Sequence, residues 1–194
     1  MKNPAAGLLR AASICGVLAP IVAFCAIAGA VSISPWFNWE KNALSDLGVR
    51  QGSDVIFNSG LVAAGGLAAI FSLGLFLTMK NGIGKVTAVL FLVDSIALVG
   101  IGVFPETAGE IHLWFSVVFF ATFSIFAISF FIYSITQKWL KMAVGALVAG
   151  AGATLPWTFR WEGVAIPETI SALFASSLTL ALGLILLKKG EMGR

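Results

Sequence analysis

Six apolar runs, at about 11–33, 55–78, 85–104, 110–136, 142–159 and 166–187, leave this chain few folds to choose from. Each is long enough to cross a bilayer core of about 30 Å as a helix. The charged residues collect in the gaps between them. A helix satisfies its own backbone groups, so it can span lipid where an irregular chain cannot. The pattern therefore predicts an all-α integral membrane protein: a six-transmembrane helix bundle forming a single domain over residues 1–194. Composition agrees. The chain is 59% hydrophobic and 11% charged, whereas a soluble domain carries about 25% charged residues.

The basic residues sort by side. Lys2, Arg10, Lys80, Lys85, Lys138, Lys141, Lys188, Lys189 and Arg194 fall at one end of the spans, and Lys41, Arg50 and Arg160 at the other. The positive-inside rule puts the first group in the cytoplasm, with both termini. The expected location is the cell membrane. Lys2 and Arg10 followed by Ala26-Ile27-Ala28 resemble a signal peptide, but the apolar run continues to Ile33, so the first helix is expected to be retained. Glu40, Asp46, Asp54, Glu106, Glu110, Glu162 and Glu168 lie at the opposite, outer end. So do Trp36, Trp39, Trp114, Trp157 and Trp161, as an interfacial aromatic belt would.

Some chemistries are excluded early. The scattered basic residues form no patch for nucleic acid. Cys15 and Cys25 lie too far apart on one helix to form a disulfide and are expected to be buried thiols. With one histidine and no Cys/His cluster, no classical zinc site and no cofactor is expected.

The segment Ser34–Val49, SPWFNWEKNALSDLGV, is the least lipid-like part of the chain. Ser34 as N-cap, Pro35 at the first helical position and Gly48 as a stop predict a short amphipathic interfacial helix of about three turns. Asn38, Asn42, Ser45 and Asp46 would form its polar stripe. Short polar side chains suit fixed hydrogen bonds better than solvation, so the stripe is expected to face a cleft between spans.

Asn42-x-x-Ser45-Asp46-Leu47-Gly48, after the aromatic-rich Ser34-Pro35-Trp36-Phe37, resembles the signature of the archaeal and bacterial multi-pass family called domain of unknown function 998. Phe104-Pro105-Glu106 followed by His112 resembles that family's second marker. The span count and loop order extend the resemblance over essentially the whole chain. A more distant likeness, carried by Ser45-Asp46-x-Gly48, is to the Frag1/DRAM/Sfk1 membrane proteins. Neither resemblance implies an established activity.

Other outer-end residues carry structural readings beside functional ones. Thr107-x-x-Glu110 reads as a capping box for the fourth span, whereas Glu106 has no capping role and can face a site. His112 can titrate near neutral pH, with Ser116 one turn further on the same face. Asp94, in the middle of the third span, is the sharpest single residue, because a carboxyl in lipid costs at least about 2.5 kcal/mol. Thr122, Ser176 or Ser177 could partner it by depth. Pro156-Trp157-Thr158-Phe159-Arg160-Trp161-Glu162 reads like Pro35–Glu40 with one insertion, which the shared taste of Pro and Trp for interfaces explains. Arg160 could bridge Glu162 or Asp46, or hold a phosphate. Pro167 and Glu168 read as the first helical residues of the sixth span, with Glu168 compensating the helix dipole.

Three functional expectations follow. The first is recognition of a membrane lipid or small amphiphile by an outer polar site of Asn42, Ser45, Asp46, Glu106, His112, Ser116 and Arg160. The second is an intramembrane lipid hydrolase or transferase, with Ser45 as nucleophile, His112 as base and Asp46 or Glu106 orienting it. The third is a proton-linked transporter using Asp94, which at six short spans would need a homo-oligomer. An assembly or scaffold role is the plain alternative.

Overall fold

The computed structural model describes residues 4–192. Six helices are long and apolar enough to cross a membrane. They are α1 (Pro4–Ser32), α2 (Ser53–Thr78), α3 (Gly82–Val103), α4 (Glu110–Thr136), α5 (Leu140–Thr154) and α6 (Ala165–Met192). No strand occurs among the described residues. At 15 residues, α5 is about 22 Å long and too short for the bilayer core. The 3₁₀ turn Leu155–Thr158 extends it, which makes Leu140–Thr158 the span.

Each helix packs on the next in sequence, and α6 packs back on α1. The bundle is therefore a closed ring. Large apolar side chains on its outside, such as Leu73, Leu77, Ile128 and Leu147, are exposed in the isolated chain, as lipid-facing residues should be. Cys25 is exposed too, where a buried thiol was expected, and both cysteines are free. The ring is tight where α2 meets α3. A Cβ on Gly65 would lie 2.8 Å from the Val99 backbone nitrogen and 2.9 Å from the Ser95 carbonyl oxygen, so the helices touch backbone to backbone there.

Two levels fill the inside of the ring. Towards the end that carries Lys80, Lys85, Lys138 and Lys141, a column of aromatic rings closes the bundle. Phe71, Phe91, Phe126, Phe130 and Tyr133 follow one another with centroids 5.0–6.4 Å apart. A pocket lies at that end too, against Phe130 and Tyr133, and towards the acidic end the ring encloses a second cavity. The column is the floor of the acidic-end cavity, since Phe91 belongs to both and Phe123, which also lines the cavity, packs on Phe126.

The link between α1 and α2 roofs this cavity. It is helical only over the 3₁₀ turn Leu44–Gly48, not over the three turns that the sequence suggests. The polar residues that were to stripe a helix hold turns together. The Asn42 side-chain oxygen accepts the Asn38 N–H at 2.9 Å, and Asn38's own accepts the Glu40 N–H at 2.9 Å. Short polar side chains compete in this way with helical backbone bonds. The link is pinned to the start of α6 by backbone bonds from Gly163 to the Glu40 carbonyl and from Val164 and Ala165 to the Asn42 carbonyl. The two Pro-Trp segments thus flank one junction.

Candidate functional site

The roof is built from loop carboxylates. Asp46 accepts the Asn42 side-chain amide at 2.6 Å and the Ala43 N–H at 3.0 Å, which fixes the entry to the 3₁₀ turn. Leu44 N–H donates to Glu168 Oε2 on α6 at 2.7 Å. Ser45 Oγ donates to Glu106 Oε2 at 3.3 Å. Three acids thus fasten one turn of chain, and Leu44 and Ser45 are held buried above the cavity.

Glu106 stands in a short 3₁₀ turn, Glu106–Ala108, that ends at Gly109 with φ +65°. This left-handed residue starts α4, so the expected Thr107–Glu110 capping box does not form. Partial desolvation raises the Glu106 carboxyl above its ordinary 4.5, and the nearby Asp46 carboxylate raises it further. The bond from Ser45 and the His112 imidazole pull the other way. A raised pKa means that the folded chain holds a proton which the unfolded chain has lost. Stability should therefore fall as pH rises from about 4.5 through the folded value. In Glu106→Gln that slope is expected to shrink, as thermal unfolding in detergent between pH 4 and 8 would measure. An unchanged slope would remove Glu106 as its source.

His112 is buried near the start of α4. Its Nδ1 lies 2.7 Å from the Phe104 carbonyl oxygen, which can only accept, so Nδ1 carries the proton. The other nitrogen, Nε2, faces Ser116 Oγ at 3.4 Å, which can donate to it. The serine bonded to the histidine is therefore Ser116. Ser45, expected as its partner, bonds Glu106.

The cavity has a volume of about 110 Å³ and is partly open to the surroundings. Its walls come from α1, α2, α3, α4 and α6 and are mostly hydrocarbon, including Phe24, Ile27, Leu61, Leu98, Phe119 and Ala172. Its polar residues are Ser45, Asp94, His112, Ser116, Glu168, Ser176 and Thr179. Ser116, Phe119, Phe120, Ala172, Ala175 and Ser176 are only half-buried. Ala23 and Phe24 on α1 and Leu98 on α3 are half-buried as well, so the wall is only partly covered on several sides.

Of the residues expected at the site, Ser45, His112, Ser116 and Asp94 line this cavity. Asn42, Asp46 and Glu106 do not; they secure its roof from above. Arg160 is exposed and makes no hydrogen bond or ion pair among the described residues, so it bridges neither Glu162 nor Asp46. The other arginine at this end, Arg50, lies over the Trp36 ring, 4.1 Å from its centroid. Asp94 is 6% exposed, and its carboxyl meets neither Thr122, Ser176 nor Ser177. Glu168 stands in the first turn of α6, as its reading as a dipole residue has it, and is a wall and roof residue as well; its carboxylate holds a backbone N–H 124 positions away. Among the described residues, no group of three or more His, Cys, Asp or Glu could hold a metal ion.

A ring of six membrane-spanning helices around a roofed cavity defines a multi-pass membrane protein. The chain belongs to the family described as "Protein of unknown function (DUF998)", whose model matches residues 15–185. No curated protein and no solved structure matches the chain.

Proposed function

We propose that this protein recognises a membrane lipid or small amphiphile, with the polar head beneath the roof and the apolar part between the helices. One observation carries the reading. A cavity walled by hydrocarbon gathers Ser45, His112, Ser116 and Glu168 at its roof end. Sites for small molecules pair apolar walls with a few placed polar groups in this way. Among the described residues, no lysine or arginine lines the cavity. The head it suits is therefore a hydrogen-bond donor such as a hydroxyl or an amine, rather than a phosphate. The distribution of Lys and Arg supports an orientation with the roofed end outside, so the ligand would come from the outer leaflet of the cell membrane.

Dodecanol tests this reading in a detergent-solubilised sample. A ligand that binds the folded state raises the unfolding temperature with its concentration. The wild-type chain is expected to show that rise, and Leu98→Trp, which fills the cavity, to lose it. A rise that is equal in both would place the alcohol outside the cavity and contradict the proposal.

The Ser116–His112 contact supports a second reading, a lipid hydrolase. In it Ser116 would be the nucleophile and His112 the base, with the Phe104 carbonyl orienting the ring. It predicts that Ser116→Ala abolishes turnover of a long-chain ester while dodecanol binding survives. Equal turnover by variant and wild type would rule it out.

A further inference from the structure

The cavity has polar groups at two depths. At the roof are Ser45, His112 and Glu168. Deeper are Asp94 on α3 and Ser176 on α6. Asp94 lies about 15 Å along α3 from its roof end, and Ser176 lies about 16 Å along α6 from the start of that helix. Ser176 is about 12 Å below Glu168 on the same helix. Between the two levels the wall is hydrocarbon: Leu98 and Ile101 on α3, Ala172 and Ala175 on α6.

The roof groups have partners within the protein, and so does Thr179 one turn below Ser176, which donates to the Ala175 carbonyl at 2.9 Å; among the described residues Asp94 and Ser176 have none. Asp94 is 6% exposed, and its Oδ1 has no hydrogen-bond partner. Ser176 makes no hydrogen bond among the described residues, whereas Ser177 beside it donates to the Leu173 carbonyl. Buried polar groups in folded proteins are nearly always paired, and intramembrane carboxyls mark ligand or ion paths. An unpartnered carboxyl aimed into a cavity is a place for a ligand's donor group.

Resting on the amphiphile reading, we propose that the ligand is elongated and carries a hydrogen-bond donor, hydroxyl or amine, at both ends. One end lies beneath the roof. The other meets Asp94 and Ser176, about 12 Å deeper, with an apolar spacer between them. A simple single-headed lipid would leave Asp94 unmet.

Three probes of equal chain length separate the possibilities: dodecanol, dodecanediol with a hydroxyl at each end, and an amino-dodecanol with one amine and one hydroxyl. Each is titrated by thermal shift against the detergent-solubilised wild type, Asp94→Leu and Asp94→Asn. At least one two-ended probe is expected to bind the wild type about tenfold more tightly than dodecanol, the value of one hydrogen bond to a charged or strongly polar group. That advantage should vanish in Asp94→Leu. Asp94→Asn, which keeps a polar group at the position, should retain part of it and covers the case in which the leucine variant fails to fold. A stronger advantage for the amine than for the second hydroxyl identifies an amine as the inner group, and the reverse identifies a hydroxyl. Equal affinities of all three probes for the wild type, or an advantage that persists in Asp94→Leu, would overturn the two-ended ligand while leaving the amphiphile reading intact. Binding by none of the three would overturn the amphiphile reading itself.

Discussion

An Asp94→Leu variant is expected to unfold at a higher temperature than the wild-type chain when no ligand is added. Asp94 is buried in the middle of a membrane span, and its Oδ1 has no hydrogen-bond partner among the described residues. A polar group in that position is costly, by at least about 2.5 kcal/mol for a carboxyl in lipid. Leucine is close to aspartate in length, and its neighbours Phe91, Leu98 and Ile101 are already hydrocarbon. The exchange should recover much of that energy, about 2 kcal/mol, as a rise in the unfolding midpoint in detergent. Residues kept for binding rather than for stability behave in this way. Were Asp94→Leu instead less stable, Asp94 would be a structural residue with a partner that the described contacts do not contain.

The second large effect concerns two adjacent glycines. A methyl group on Gly65 would lie 2.8 Å from the Val99 nitrogen and 2.9 Å from the Ser95 carbonyl oxygen, on the backbone of α3. A helix backbone cannot yield as a side chain can, so α2 and α3 would have to part. Gly65→Ala is expected to cost about 1–3 kcal/mol, the range for overpacking a tight interface. Around Gly66 there is nothing within 4 Å of the added carbon. Gly66→Ala should be neutral or mildly stabilising, because alanine is the better helix former by about 1 kcal/mol. The pair differs by one position and has the same propensity, so only packing separates them. Thermal unfolding of both variants checks the prediction, and equal behaviour would contradict the backbone contact between α2 and α3.

Much of the fold was legible because lipid demands uniform helices. Long apolar runs with charges between them gave the six spans, with α5 completed by its 3₁₀ turn. The link between α1 and α2 was harder to read. Asn38, Asn42 and Asp46 have helical spacing, but their side chains bond nearby backbone groups and stop a helix from forming. Spacing alone does not distinguish a polar stripe from a set of turn-forming residues.

The candidate site was legible in part for a similar reason. Asp94 stood out because a lone acid in a span has no ordinary explanation, and His112 and Ser116 share a helix face by simple geometry. Glu168's part in the roof was missed because an acid near a helix start already has a sufficient local explanation, which its place in the first turn of α6 bears out. Its actual partner is the backbone of Leu44 on a distant loop, and a backbone N–H has no signature in sequence. Arg160 failed for the opposite reason. Its charge complements the acidic rim, but its side chain lies apart from it.

The roof's construction bears on how a ligand would enter. Leu44 and Ser45 are held by carboxylates on α6 and on the α3–α4 link, so the roof is fastened from two sides. The half-buried wall residues on α4 and α6 are not fastened in this way and leave a less obstructed route. Entry from the side suits a ligand that arrives already dissolved in the membrane.

Native mass spectrometry of the protein, purified from its membrane in mild detergent, tests the central claim most directly. The account predicts a wild-type species carrying one extra mass in the range of a lipid or smaller amphiphile. In Leu98→Trp, whose indole fills the cavity, that mass should be lost. A wild-type chain that carries no such mass, or a Leu98→Trp variant that retains it in full, would contradict the account.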